Sequence, residues 1–153
     1  MEPAAGIIPY IKINGTIYFL LGFEKNKWSG FVGGKEINDA TIEDTALREF
    51  NEETAGVFIN NLNYIKNEIT SNRALLIPGN TKNRLVYLWF VKLPERVVNI
   101  NVPYLFLEKL KTVTENCYRE KSKLDWFPIE SINKIKIMYK LKTAILNNYQ
   151  NMI

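Results

Sequence analysis

The sequence predicts one α/β or α+β domain, and three observations lead to that class. An Asn-Gly pair separates two apolar stretches near the N-terminus, a capped amphipathic pattern follows over residues 42–54, and residues 85–93 are almost all apolar or aromatic. A length of 153 residues, with 46% hydrophobic and 24% charged residues, is typical of one globular domain. We therefore expect a single domain over residues 1–153.

The first element is a predicted β-hairpin over residues 6–21. Asn14-Gly15 stands between its two strands, and this pair favours a type I′ turn because both positions need positive φ. We expect a loop over residues 24–30, with Trp28 near its end. A short apolar step then leads into Gly33-Gly34.

The second element is a helix over residues 42–54. Thr41 can cap its first turn, and acidic residues next to the cap favour the helix dipole. We expect the helix to end at Ala55-Gly56, since glycine is the preferred residue after a helix. Apolar residues at a spacing of four form one stripe along it: Ile42, Ala46 and Phe50.

The remaining elements are predicted from shorter patterns. Short strands are expected at residues 57–59, 63–65 and 74–77. Residues 85–93 (LVYLWFVKL) predict a central strand buried on both faces. Helices are expected at residues 103–111, 128–137 and 139–148.

Composition excludes several kinds of catalytic site. The chain has no histidine and one cysteine, Cys117, so Ser-His-Asp and Cys-His mechanisms and His-based zinc sites are ruled out. Carboxylates remain, and they favour magnesium or manganese. The net charge of +4 suits an anionic partner such as a nucleotide or RNA, and equally a solvated lysine-rich surface. No apolar run is long enough for a membrane span, and no signal sequence is visible, so we expect a cytoplasmic protein without a membrane partner.

Three carboxylates share one face of the predicted helix. Glu49, Glu52 and Glu53 stand at i, i+3 and i+4, where like charges repel. A bound divalent cation would turn that repulsion into attraction, and Arg48 is spaced to hold Glu52. Gly33-Gly34 would let the backbone approach a metal or phosphate. Taken alone, the cluster is more typical of a solvated acidic helix face.

The order of these residues resembles the Nudix box, G-x5-E-x7-R-E-U-x-E-E-x-G-U, with U a bulky apolar residue. Anchored on Gly34, the match over residues 34–56 is in register through the arginine and the three glutamates. The resemblance implies a mixed central sheet between helices and hydrolysis of a nucleoside diphosphate linked to another moiety. It implies metal ligation by Glu49, Glu52, Glu53 and the Gly33 carbonyl, with Arg48 orienting them. The cofactor would be Mg²⁺ or Mn²⁺.

Two positions depart from the box. Its first glutamate falls on Ala40, which leaves the number of metal ions open, and Asp39 or Glu43 is expected to compensate. Its closing glycine falls on Ala55, which implies an altered helix end.

Further site residues follow from the family resemblance. A general base is expected shortly before Trp126, where Glu120 is preferred over Asp125. Gly34 and four aromatic residues are candidates for substrate binding: Tyr10, Trp28, Phe31 and Tyr87. Trp28 is favoured for stacking on a base, because it is predicted to lie in a polar loop.

The identity of the linked moiety stays open among three hypotheses. The first is decapping of mRNA or hydrolysis of a dinucleoside polyphosphate, because the pI is basic and the N-terminal stretch resembles Nudix proteins of large DNA viruses; a viral protein would then act in the host cytoplasm. The second is removal of oxidised nucleoside triphosphates or of nucleotide sugars. The third is a non-catalytic binding module. A homodimer, with residues 105–111 at its interface, is also left open.

Overall fold

The computed structural model describes residues 3–79 and 83–153. Within them the chain forms seven β-strands and four α-helices. The strands are β1 (Ala4–Ile13), β2 (Thr16–Glu24), β3 (Lys27–Ser29), β4 (Phe31–Gly34), β5 (Leu75–Pro78), β6 (Leu85–Lys92) and β7 (Lys123–Pro128). The helices are α1 (Ile42–Glu53), α2 (Leu62–Ser71), α3 (Val102–Leu110) and α4 (Tyr139–Asn148). None of the described helices is both long and apolar enough to cross a bilayer.

All seven strands join one mixed sheet. Its main order is β3-β2-β1-β6-β5, with β4 added to β1 and β7 added to β2. β1 and β6 are parallel, and the other pairs are antiparallel. The first half of β1 pairs with β4, from Ala4 opposite Gly34 to Ile7 opposite Phe31, and its second half pairs with β2. Gly33 and Gly34 therefore lie beside the first two residues of β1.

The predicted first hairpin is confirmed, and a second hairpin replaces the predicted loop. Asn14 and Gly15 have φ values of 50° and 83°, as a type I′ turn requires. The prediction of a loop over 24–30 is wrong, because Lys25 and Asn26 also have positive φ, 51° and 64°. These two residues form the turn between β2 and β3. The turn contains no glycine, so the Asn-Gly type of sequence signal does not predict it.

Helix α1 forms where its sequence pattern predicts it. Thr41 is the N-cap, and its side chain and that of Asp44 form a reciprocal capping box. Ala55 and Gly56 follow the helix with φ of 53° and 75°, so two residues in the left-handed region end it. Ala55 takes this conformation although it carries a Cβ atom.

Three other predicted elements are wrong. Residues 57–59 and 63–65 are not strands: a turn leads into α2, whose Ile65 and Ile69 are buried at helical spacing. Residues 128–137 are not a helix, since only one 3₁₀ turn, Ile129–Ser131, forms there. Trp126 belongs to β7, opposite Leu20 of β2. The strands over 74–77 and 85–93 and the helices over 103–111 and 139–148 are confirmed to within two residues.

The sheet lies between two hydrophobic clusters. Trp89 and Val91 of β6 point into the cluster under α1, α2 and α3, and Leu88 points into the cluster under α4. The prediction that this strand is buried on both faces is therefore confirmed. Helices on both sides of a mixed sheet match the fold that the box implies.

Candidate active site

The three carboxylates of α1 lie on the side of the helix that faces the sheet. The side chains of Glu49, Glu52 and Glu53 are 12%, 18% and 1% exposed, so the acids do not simply face solvent. A methyl group on Gly33 would overlap the Glu49 carboxyl group. Glycine at this position therefore lets the backbone of β4 approach the acids closely. Burial raises the pKa of all three carboxyl groups.

Arg48 forms hydrogen bonds both to these acids and to the end of β4. One guanidinium nitrogen lies 2.8 Å from Glu49 and 3.4 Å from Glu52. Another donates to the Gly34 carbonyl at 2.9 Å. These contacts are compatible with the orienting role that the resemblance implies for Arg48, and they include the backbone of Gly34.

Asp39, one residue before Ala40, also binds Arg48. Its expected compensation for Ala40 stays a prediction. The Asp39 carboxylate accepts bonds from Arg48 Nε at 3.0 Å and from Thr45 Oγ1 at 2.9 Å. Hydrogen bonding to Arg48 lowers the pKa of Asp39 to about 2. Ala40 is exposed, so the acid one residue earlier in the chain orients the arginine. Glu43, the other acid expected to compensate, remains in the first turn of α1.

Glu53 has one oxygen left without a protein partner. Its Oε1 lies 3.4 Å from Lys121 Nζ, whereas its Oε2 is buried with no hydrogen bond from the described residues. Burial outweighs the attraction of Lys121 and raises the pKa of Glu53 to about 8. A buried acceptor without a partner normally needs a ligand, so the residues present fit a divalent cation.

Two further carboxylates meet Glu53. Oxygens of Glu24, Glu53 and Glu120 all lie within 4.8 Å of one another and could hold a metal ion. Glu120 follows a 3₁₀ turn, and the structure brings it to the box as sequence reasoning expected. Asp125 lies apart in β7, opposite Leu21. Glu24 was missed, because nothing in its local sequence distinguishes the end of β2 from a surface position.

Lys121 is buried inside this cluster. Its side chain is 1% exposed, and its Nζ atom donates to Glu24 Oε1 and to Ser29 Oγ, both at 2.6 Å. A Cβ atom on Gly22 would lie 2.7 Å from Lys121 Cδ, so this glycine makes room for the lysine stem. The sequence analysis did not predict a role for Lys121.

A cavity of about 270 Å³ is lined by the glycine pair and by Glu24, the one member of the Glu24, Glu53 and Glu120 cluster among its described lining residues. We call it the Gly34 cavity. Glu24 and Lys121 lie at one side of it, and Arg84 and Lys140 line the other. Sequence reasoning missed both of these cations, because they come from the start of β6 and from α4. Gly34 lines the cavity, which is compatible with its predicted contact to substrate.

The four predicted aromatic residues lie outside the Gly34 cavity. Phe31 is 0% exposed and packs on Phe50 in the core, so its prediction as a substrate contact is wrong. Trp28 lies on β3, not in a loop, between the rings of Phe23 and Phe127 at 5.1 and 4.6 Å. Neighbouring core residues therefore already cover much of its ring.

The two tyrosines are half-buried in strands of the sheet. Tyr10 of β1 packs beside Phe19, at a ring distance of 6.2 Å. Tyr87 of β6 packs against the cluster under α1 and α2. Both stay predictions as substrate contacts.

Comparison with known proteins gives a family and a fold. The family model described as NUDIX domain matches residues 2–147. Protein L534 of Acanthamoeba polyphaga mimivirus is 43% identical over a stretch covering 36% of this chain and 20% of that protein, so the chain spans about a fifth of this relative's length.

Two solved structures resemble the whole chain. The NUDIX domain of Shewanella oneidensis NrtR, complexed with ADP ribose, has a TM-score of 0.66 at 11% identity and covers 100% of this chain and 89% of that one. A C. elegans Ap4A hydrolase has a TM-score of 0.60 at 19% identity, with 99% and 97% covered. Such low identities show a shared fold alone.

Proposed function

The chain belongs to the NUDIX domain family, a family of hydrolases that act on pyrophosphate bonds, and we propose that it is a Mg²⁺- or Mn²⁺-dependent pyrophosphohydrolase of nucleoside diphosphates linked to a second moiety. One observation carries this proposal: the Glu49 carboxylate faces the backbone of Gly33, and the buried carboxylate of Glu53 has one oxygen with no partner among the described residues. Such a group of oxygens suits a hard divalent cation.

The metal-holding residues would be the three glutamates of α1, with the Gly33 carbonyl and Glu120 beside them. The bound ion supplies neutralisation of phosphate charge and a more acidic water. Arg48 keeps the carboxylates of Glu49 and Glu52 in one orientation through its short contacts. Glu120 is exposed, which leaves it able to accept a proton from the attacking water. Its proximity to Glu53 supports this role and is not matched by Asp125.

The substrate that we propose is a dinucleoside polyphosphate or a capped RNA. The basic net charge of +4 favours a polyanionic ligand. One structurally similar protein is an Ap4A hydrolase. The alternative substrate is a nucleotide sugar or a free nucleoside triphosphate. The structurally similar NrtR domain is complexed with ADP ribose, and this supports nucleotide sugars as an alternative. A purely binding module is disfavoured, because the box retains Arg48 and its three glutamates.

A substrate panel tests the proposal. The protein with Mg²⁺ is incubated, at enzyme excess, with Ap4A, capped RNA, ADP-ribose and nucleoside triphosphates, and products are separated by ion-exchange chromatography. We expect metal-dependent turnover of Ap4A or capped RNA, abolished in Glu53→Gln. If the protein hydrolyses only free nucleotides or ADP-ribose, the alternative substrate class, nucleotide sugars and free nucleoside triphosphates, is correct. The absence of turnover on every substrate would refute the enzymatic proposal.

A further inference from the structure

The Gly34 cavity is divided by charge. On its carboxylate side, Glu24 is the one acid among the described lining residues, and it accepts a hydrogen bond from Lys121. On its other side the charged groups are the side chains of Arg84 and Lys140. The cations of that side therefore have no carboxylate to neutralise them among the described residues that line the cavity.

Arg84 lies directly on the glycine pair. Its terminal Nη2 is 2.5 Å from where a Cβ atom on Gly34 would stand, so the guanidinium lies close over the backbone of this glycine. The Nε atom is buried without a hydrogen-bond partner among the described residues. A buried donor of this kind is costly unless a ligand accepts from it.

Lys140 adds a second donor from the first turn of α4. Its Nζ donates to the carbonyl of Gly79, beside Arg84, at 2.7 Å. The N-cap of α4, Met138, offers no side-chain acceptor, and the first turn contains no acid. The positive end of the helix dipole therefore favours an anion at the same side of the cavity.

Glu24 connects the cavity to the carboxylates. Gly33 opens toward Glu49 and Gly34 toward Arg84, on opposite faces of β4 because successive strand residues face opposite ways. Glu24 lines the cavity, and one of its oxygens lies within 4.8 Å of oxygens of Glu53 and Glu120. A phosphate chain with its scissile pyrophosphate held at those carboxylates would enter the cavity past Glu24, and its next phosphate would meet the cations of the other side.

We propose that Arg84 and Lys140 form a subsite for an additional phosphate beyond the pyrophosphate that is cleaved. The remaining wall of the cavity is apolar, with Ile77, Val86 and Met138, and none of the described lining residues is aromatic. The site therefore takes a phosphate chain and its attached sugar, with no ring on which a base could stack. The enzyme then favours substrates with three or more consecutive phosphates over diphosphate-linked ones. This inference rests on the proposed function and narrows its substrate class.

The first test measures binding without catalysis. Inorganic tripolyphosphate is titrated into the protein in EDTA and followed by calorimetry. We expect binding that weakens at least about tenfold in Arg84→Gln and in Lys140→Gln, as loss of a charge-assisted hydrogen bond implies. The exposed residues Arg73 and Lys134 provide matched controls, and Arg73→Gln and Lys134→Gln should stay within about twofold of wild type. Equal binding by wild type and Arg84→Gln would overturn the subsite.

The second test uses kinetics with Mg²⁺. For Ap4A, Arg84→Gln should raise KM at least about tenfold with kcat nearly unchanged, whereas for ADP-ribose KM should change less than about threefold. Arg84→Lys should recover part of the loss, and thermal unfolding confirms that each variant is folded. A parallel rise of KM for both substrates would overturn the proposal. If wild type hydrolyses neither substrate, the proposed function fails, and the tripolyphosphate titration still decides the subsite.

Discussion

Replacing Lys121 by methionine should destabilise the metal-free protein by about 3 kcal/mol, at the low end of the 3–5 kcal/mol typical for breaking a buried ion pair. The lysine is 1% exposed and donates to Glu24 and Ser29 at 2.6 Å. Methionine fills the space beside Gly22 but leaves both acceptors without their donor. The low end applies because Glu24 is 27% exposed and can gain water, and because Glu53, with its pKa near 8, largely keeps its proton at pH 7.

An exposed lysine of the same contact length is the matched control. Lys111 Nζ lies 2.7 Å from Glu108 on α3, but its side chain is 70% exposed. Lys111→Met should therefore cost at most about 1 kcal/mol, as surface pairs do. Both variants are unfolded with urea in EDTA at pH 7 and followed by circular dichroism. Equal losses in the two variants, or a loss below about 1 kcal/mol for Lys121→Met, would refute the view that burial makes this lysine structurally important.

Three further changes test the site. Gly33→Ala should lower kcat/KM by about 10²-fold, because the new methyl group displaces Glu49; unchanged kinetics in a folded variant would show that the contact is not needed. Glu120→Gln should lower kcat about 10²–10⁴-fold and remove one limb of the pH–rate profile, whereas a change below twofold, or an equal loss in Asp125→Asn, would remove it as the base. The pKa of Asp39 falls from 3.8 to about 2 on folding, so its ionised form stabilises the protein above about pH 4, and that stabilisation is lost as the pH falls through about 2. The free energy of unfolding, measured as the pH is lowered, should show this loss in wild type and not in Asp39→Asn. Identical pH dependence of the two proteins would contradict the lowered pKa of Asp39.

The helix α1 and its three acids could be predicted because their signals are local. A capping threonine, apolar residues at a spacing of four and a left-handed glycine after the helix act within a few residues of one another. The register of Arg48 and the glutamates then needs only the helix. The predicted mixed sheet followed from the family resemblance.

Residues outside the box depend on pairings that local sequence does not encode. Glu24 meets Glu120 and Lys121 because β2 pairs with β7 and thereby brings the segment before β7 to the end of β2. The same pairing makes Lys123–Pro128 a strand, which the sequence analysis did not predict. Residues 62–71 form the helix α2, whose isoleucines pack into the core. A short apolar segment in the sequence is compatible with either a strand or a helix, so the sequence alone does not decide between them.

The sequence by itself therefore determined the chemistry of the protein: a helix whose acids can hold a divalent cation beside a glycine pair. The tertiary structure alone decided the surroundings of those acids. It buried Lys121 among them, and it set Arg84 and Lys140 across Gly34 from them. The physical reason is distance along the chain, since a helix face is formed within a dozen residues, whereas a cavity lined by β2, β4, β6 and α4 exists only after the sheet has assembled.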